Sequence, residues 1–143
     1  MTRFLAYASQ RLRPLGAQVS VAVFGLAAVR DLGIGQDPGL LAGVVDTLYP
    51  MLYPSNYGPG ELGLADPEAH PRQVVARSLA AFRKALRGRQ VRLVPWLQDF
   101  SLVGADSAAD VRAEVASARS IGARGFLLWS PSGRYTTGAL RSR

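Results

Sequence analysis

The sequence predicts an α/β protein with a parallel β-sheet, and two observations lead to this fold class. Short apolar runs rich in β-branched residues, typical of strands buried on both faces, alternate with stretches whose apolar residues recur at helical spacing. Every connection between these runs is long enough for a crossover, which parallel strands require. The chain has 143 residues, 48% of them hydrophobic, so we expect one domain with a substantial core over residues 1–143.

The predicted order of elements is helix, strand, loop, strand, helix, strand, helix, strand. The helices carry apolar stripes and end near glycine; they are placed at 2–15, at 71–87, and from the capping-box-like Ser107 to Gly122. The strands are the apolar runs 19–24, 91–97 and 125–129, and the run that begins at Val44 and gives way to a loop at Ser55. A short helix is expected near 40–43 and at most another one after Thr136. Four such units form either an open doubly wound sheet or half of an eight-stranded barrel, and repetition alone does not decide between them.

Charge and scarce residue types argue against several classes of site. The formal net charge is +7, but the basic residues are scattered along the chain and fall mostly on outer helix faces, so we expect a solvated basic surface and no nucleic-acid site. Cysteine is absent and His70 is the only histidine, which argues against disulfides, a cysteine nucleophile, a Ser-His-Asp triad and a metal site. Gly33-Ile34-Gly35 does not follow a strand and open a helix, so we predict no nucleotide cofactor.

Three of the four predicted strands run directly into aromatic and polar residues. The segments are Tyr53–Tyr57, Trp96–Phe100 and Trp129–Ser132. In parallel α/β folds the carboxyl ends of the strands share one edge of the sheet, where ligands bind. Aromatic rings beside a carboxylate and amides suit a carbohydrate, because a sugar presents both apolar faces and a rim of hydroxyl groups.

Candidate site residues follow from this placement. Of the acidic residues, Asp99 has the best position for acid-base or nucleophilic chemistry, at the carboxyl end of a predicted strand. Capping of a loop is an equal alternative for it. Candidate sugar-stacking rings are Tyr53, Tyr57, Trp96, Trp129 and Tyr135, and candidate hydroxyl partners are Asn56, Gln98 and Arg134. Core packing is the alternative role for each ring, and above all for the two tryptophans. Glu61 is more simply a solvated loop residue, and Asp46, at the start of its strand, is assigned no chemistry.

Five motifs in order carry a resemblance to a known family. They are Asp31-Leu-Gly-Ile-Gly-Gln-Asp37, the run Tyr49–Gly60, Asp66–Pro71, Pro95–Phe100 and Leu128–Tyr135. Together they resemble the glycoside-hydrolase-like domain family with a TIM-barrel fold, and the resemblance covers nearly the whole chain. It extends only to the carboxyl-terminal half of the family's domain. It therefore implies half of a (β/α)8 TIM barrel, with the strands of this chain as strands five to eight.

One departure from the family bears on activity. Family members usually carry an aspartate in a Val-Ser-Ala-Asp-Val-Phe-Gly-like motif of the first of these strands, and the matching position here is Ala22. Glycosidases normally need a pair of carboxyl groups across the scissile bond. The resemblance thus implies a glycoside hydrolase fragment that acts on or binds a polysaccharide or oligosaccharide, and that is weak or inactive alone.

Two alternatives remain open at the level of sequence. One is a non-catalytic carbohydrate-binding or self-assembling module, in which two copies form a homodimer that completes the barrel. The other is a truncated gene product. No stretch approaches the roughly eighteen apolar residues of a membrane span, and residues 1–10 lack a signal-peptide layout. We therefore expect a cytoplasmic protein as the chain stands, and a secreted or envelope-associated one if the true start lies upstream.

Overall fold

The computed structural model describes residues 1–102 and 108–140. The helices are α1 (Thr2–Leu12), α2 (Pro38–Leu41), α3 (Pro71–Ala85) and α4 (Ala108–Ser120). The strands are β1 (Ser20–Phe24), β2 (Thr47–Leu52), β3 (Arg92–Leu93), β4 (Trp96–Gln98) and β5 (Leu127–Trp129). Short 3₁₀ turns follow α1 at Arg13–Leu15 and close the described chain at Thr137–Ala139. The predicted helix start at Ser107 lies outside the described residues.

All strand pairs of the sheet are parallel. The strand order is β1-β2-β4-β5. Strand β3 pairs with the first residues of β2 and β4 with its last ones, so β3 and β4 follow each other along β2. Helices lie between successive main strands, as the alternation in the sequence predicts. The architecture is a mixed α/β fold compatible with a partial TIM barrel, and the chain segments that the structure describes contain no helix that is long and apolar enough to cross a membrane.

The predicted strand at 91–97 is divided into two, which corrects the prediction of four continuous strands. Its first part, β3, pairs with Thr47 and Leu48, and its second part, β4, pairs with Met51 and Leu52. The interruption falls at Pro95, opposite Pro50 of β2. Because proline has no backbone N–H, neither residue can donate to a ladder, and the pairing resumes only beyond them.

One face of the sheet carries the hydrophobic core. Side chains alternate along a strand, so every second residue points to the same face. The core side contributes Val23, Leu48, Leu52 and Leu97, which cluster with Leu5 of α1, Leu41 of α2, Val75, Leu79 and Phe82 of α3, and Val111 and Val115 of α4. All four helices therefore pack against this one face.

The opposite face, called here the open face, has no comparable layer of helices among the described residues, although Thr47 and Gln98 on it are buried. Its residues alternate with those of the core side, and Ala22, Phe24 and Trp129 on it are exposed, while Met51 and Trp96 are half-buried. Parallel sheets are normally covered on both sides. The open face is thus the unusual surface of this fold.

The ends of two helices differ from the prediction. The first helix stops at Leu12, and a 3₁₀ turn continues to the left-handed Gly16, with φ of 77°. Within its predicted apolar stripe Leu5 is buried, but Phe4 is 71% and Leu15 78% exposed, so much of the stripe has no partner in this fold. The helix predicted at 71–87 stops at Ala85, with proline in its first turn as expected.

Candidate functional site

The carboxyl ends of β2, β4 and β5 lie side by side. Gln98 is in register with Trp129, and the backbone N–H of Asp99 donates to the carbonyl of Trp129 at 2.9 Å. The backbone N–H and the hydroxyl of Ser55 donate to Oε1 of Gln98 at 3.1 and 2.8 Å. These contacts join three segments into one region, called here the strand-end rim. It consists of residues 53–57, 98–100 and 129–136.

Asp99 is the carboxylate of the strand-end rim, and it is 1% exposed. Its Oδ2 accepts a hydrogen bond from the backbone N–H of Thr136 at 2.8 Å. Its Oδ1 is buried and has no hydrogen-bond partner among residues 1–102 and 108–140. A buried polar atom without a partner lowers the free energy of unfolding by about 1–3 kcal/mol, so this oxygen destabilises the fold. It is a hydrogen-bond acceptor that the described residues leave unused.

Gln98 connects two segments of the rim through hydrogen bonds of its side chain. Besides accepting from Ser55, its side-chain amide donates to the carbonyl of Phe100 at 2.7 Å. Its backbone N–H donates to Oε2 of Glu114 at 2.9 Å. The amide of this buried side chain is thus largely engaged inside the protein, which favours a bridging role; its predicted contact with a sugar hydroxyl stays a prediction.

The aromatic rings of the rim divide into exposed and packed ones. Trp129 is 43% exposed and Tyr135 is also exposed. Trp96 is half-buried and contacts the Trp129 ring edge-on, with centroids 6.0 Å apart and planes at 85°. Tyr53 is buried and meets the Phe100 ring in a similar edge contact at 5.5 Å; burial raises the pKa of Tyr53 to about 12. Trp129 and Tyr135 therefore offer the accessible ring surface.

Tyr57 lies inside the protein. It packs in a small cluster with Leu64 and Val74, and its hydroxyl hydrogen-bonds that of Ser78 at 2.9 Å. A Cβ at Gly25 would lie 1.9 Å from the Tyr57 hydroxyl oxygen. Burial raises the pKa of the Tyr57 phenol, which stays protonated at ordinary pH. This environment favours a packing role over the predicted sugar contact.

The remaining candidates are exposed polar residues at the rim. Asn56 lies in the turn after β2, and Arg134 follows a turn whose hydroxyls, Ser130 and Ser132, hydrogen-bond at 3.1 Å. The backbone N–H of Arg134 donates to Ser132 Oγ at 3.3 Å. Both side chains are therefore placed where they can reach a ligand on the surface.

Two other acidic residues have structural partners. Glu61 Oε2 accepts from the backbone N–H of Gly58 at 2.8 Å, and its Oε1 pairs with Arg30 at 3.1 Å. Asp46, just before β2, accepts from the backbone N–H of Val19 and from Arg13. Both carboxylates are thus engaged by groups of the protein itself.

Glu114 and Thr136 contribute to the site and were not predicted from the sequence. Glu114 is 2% exposed and holds the end of β4 through the Gln98 N–H. It lies on the buried stripe of α4 with Val111 and Val115, and a carboxylate on an apolar stripe was the available signal. Thr136 acts through its backbone, so its residue type gave no signal. In the part of the chain covered by the structure, no three histidine, aspartate or glutamate side chains are grouped to hold a metal ion.

Comparison with known proteins gives one family. No curated protein matches the chain. A crystal structure of bee venom hyaluronidase is similar over 66% of this chain and 29% of that chain, with 20% sequence identity and a TM-score of 0.48. The model of the family described as "Putative glycosyl hydrolase domain" matches residues 1–135, so the chain belongs to this family, as its motifs indicated.

Proposed function

We propose that the strand-end rim is a carbohydrate site of a glycoside-hydrolase-like domain, with Asp99 as its carboxyl group. The observation that carries the proposal is the free Oδ1 of Asp99, buried at the carboxyl end of β4 beside the exposed ring of Trp129. A fold keeps an unsatisfied buried carboxylate oxygen at a stability cost, and such costs are typical of functional sites. Family membership supports the choice of a carbohydrate as the ligand.

The exposed rings and polar groups fit the two kinds of surface on a sugar. The Trp129 ring, supported edge-on by Trp96, and the Tyr135 ring offer faces for the apolar side of a pyranose. Asn56 and Arg134 offer donors to hydroxyl oxygens, and Asp99 Oδ1 accepts from a hydroxyl once the residues that bury it move aside. Tyr53, Tyr57 and Gln98 then act mainly by holding the loops that carry these groups.

The same geometry favours binding over efficient hydrolysis. Hydrolysis of a glycosidic bond normally uses two carboxyl groups on opposite sides of it. Ala22, where the family's motif has an aspartate, supplies only a methyl group on the open face. Glu61 cannot replace it without losing its contacts to Gly58 and Arg30. We therefore propose that this domain, as strands five to eight of a barrel, binds an oligosaccharide and hydrolyses it slowly or not at all.

Binding of defined oligosaccharides tests this function. Hexasaccharides of neutral, N-acetylated and uronic-acid sugars are screened on an array, and the best one is titrated by calorimetry. We expect Trp129→Ala to weaken binding at least about fivefold, since stacking of a sugar ring on an aromatic face contributes on the order of 1 kcal/mol or more. Phe4→Ala is the matched control, because Phe4 is an exposed ring on α1, away from the rim.

Two results would contradict the proposal: no sugar on the array binds, or the Trp129 and Phe4 variants bind equally well.

Release of reducing sugar is measured for the wild-type chain and for Asp99→Asn in parallel. Rapid release that this substitution abolishes would show an active enzyme and contradict the slow-hydrolysis part alone.

A second candidate function, self-assembly, is favoured by the open face. Strands β1 and β5 are the two edges of the sheet, and Phe24 and Trp129 on them are exposed. We infer that a second copy covers these surfaces, because two sheets of four main strands make the eight that close a filled barrel.

Light scattering during gel filtration tests self-assembly. The chain of 15.3 kDa is expected to elute as a dimer of twice that mass. Phe24→Glu should give a monomer, whereas Leu40→Glu, which adds the same charge at an exposed apolar residue on α2, should not. A monomeric wild-type chain would rule out the dimer.

A further inference from the structure

A concave basic surface lies at the end of the sheet opposite the strand-end rim. The C-terminal ends of α3 and α4 and the start of β3 enclose an open cavity of about 1140 Å³. Four arginines line it, namely Arg83, Arg89, Arg92 and Arg124, above apolar side chains that include Leu79, Leu86 and Ile121. This surface is called here the arginine groove. The sequence shows these arginines as scattered, since up to 41 positions separate them in the chain.

Within the part of the chain that the structure describes, no acidic side chain faces the groove. The described lining of the cavity contains no aspartate or glutamate. The ion pairs formed within 1–102 and 108–140 are Arg13 with Asp46 and Arg30 with Glu61, and neither involves a groove arginine. Asp46 feels the charge of Arg92, but its oxygens are taken by Val19 and Arg13. A cleft lined by one sign of charge over apolar walls concentrates the field on its contents.

One of the arginines is held in place by hydrogen bonds, and another lies close to the turn that borders the cavity. Nε of Arg92 donates to the Thr47 hydroxyl at 3.0 Å, and its guanidinium also donates to Gln18 Oε1. Arg83 reaches from α3 to the turn after α4, where a Cβ on Gly122 would lie 3.2 Å from its guanidinium. Donors fixed in advance lose less conformational entropy when a ligand binds.

Stabilisation of helix ends explains only part of this arrangement. Arg83 lies in the last turn of α3, where the helix dipole favours a cation. Arg89 and Arg124 lie beyond the ends of α3 and α4, and Arg92 belongs to β3. Arg92 is also positioned by Thr47 and Gln18, so Arg89 and Arg124 are the two charges that need another reason to face the cavity.

We propose that the arginine groove binds a small anion that carries two or more phosphate groups. Guanidinium groups match phosphate oxygens in paired hydrogen bonds, and several of them around one cavity suit a ligand with several charges. Among the described lining residues none is aromatic, so they offer no platform for stacking a nucleobase, which disfavours nucleic acid. The site is separate from the strand-end rim and does not depend on the carbohydrate proposal.

Calorimetric titration of the whole chain with inorganic tripolyphosphate tests the groove. Orthophosphate, which can engage fewer guanidiniums, is expected to bind at least about tenfold more weakly. Tripolyphosphate affinity should also fall as salt is added, because the attraction is screened. A short single-stranded RNA with the same number of phosphates forms a further arm, and tighter binding of RNA than of tripolyphosphate would overturn the ligand class.

Two triple variants with equal loss of charge separate a site from general attraction to a basic protein. Arg83→Gln, Arg89→Gln and Arg124→Gln together should weaken tripolyphosphate binding at least about tenfold. Arg3→Gln, Arg72→Gln and Arg112→Gln together remove three exposed charges near helix N-termini, at the other end, and should change it less than about threefold.

Equal weakening by both triples would overturn the proposal, as would failure of the wild-type chain to bind. Circular dichroism and thermal melting establish that each variant is folded. If the groove triple fails to fold, the double variant Arg89→Gln with Arg124→Gln, both outside the helices, takes its place and is expected to weaken binding more than Arg3→Gln with Arg112→Gln.

Discussion

Two aspartates at opposite ends of the sheet have opposite relations to the fold. Asp46, just before β2, has both oxygens paired, with the Val19 N–H at 2.7 Å and Arg13 at 3.1 Å. Asp99, just after β4, has one oxygen paired with the Thr136 N–H and one buried without a partner among the described residues. The amino-terminal end of the strands is where this fold uses a carboxylate for stability. At the carboxyl-terminal end, one carboxylate oxygen is buried without a partner among the described residues.

The largest effect that we expect concerns packing at the rim end. Gly25, directly after β1, has no room for a side chain, because a Cβ would lie 1.9 Å from the Tyr57 hydroxyl and 2.8 Å from the carbonyl oxygen of Met51. Gly25→Ala should lower the free energy of unfolding by about 3 kcal/mol. Gly125, before β5 at the other end, has nothing within 4 Å, so Gly125→Ala should change it by less than about 1 kcal/mol. Urea denaturation measures both, and equal effects would contradict the close packing around Tyr57.

The next effect concerns the support beneath the rim. Glu114→Ala leaves the buried N–H of Gln98 without its acceptor and should lower the free energy of unfolding by about 2 kcal/mol. Glu114→Gln keeps an acceptor oxygen and should have a smaller effect. If the two variants unfold at the same urea concentration, the hydrogen bond to Gln98 contributes nothing to stability.

A smaller effect is expected at the paired aspartate. The Val19 N–H, the charge of Arg13 and the charge of Arg92 hold the pKa of Asp46 below its ordinary value of 3.8. Asp46 therefore stabilises the fold above that pH, and the contribution is lost as the pH falls through the lowered pKa. Asp46→Asn should reduce stability at neutral pH by less than about 1 kcal/mol, because Arg13 is half exposed. Unfolding curves from neutral pH to about pH 3 should show a shallower acid loss in this variant.

The smallest effect, of opposite sign, is expected at Asp99. Asp99→Asn can keep the bond from the Thr136 N–H, and the oxygen Oδ1 has no described partner to lose, so the free energy of unfolding should stay the same or rise by about 0.5 kcal/mol. Thermal melting of the Asp99→Asn and Asp46→Asn variants in parallel compares the change in stability at the two ends. A clear loss of stability in the Asp99 variant would remove the distinction between the two ends.

Local patterns in the sequence were enough to predict the alternation of helices and parallel strands and the placement of aromatic and polar residues at strand ends. Apolar runs and helical stripes depend on neighbouring residues, so they can be read without coordinates. Pro95 shows a limit of this approach: its missing N–H is evident in the sequence, but its alignment with Pro50, which interrupts the ladder between β2 and the β3-β4 segment, depends on strand register.

Only the tertiary structure decided which polar atoms find partners. Ser55 meets Gln98 across 43 positions and Thr136 meets Asp99 across 37. The arginine groove likewise assembles residues from two helix ends and a strand. A hydrogen bond or a shared cavity requires atoms to lie within a few ångströms of each other, and for residues so far apart in the chain that distance is set by the packing of whole elements.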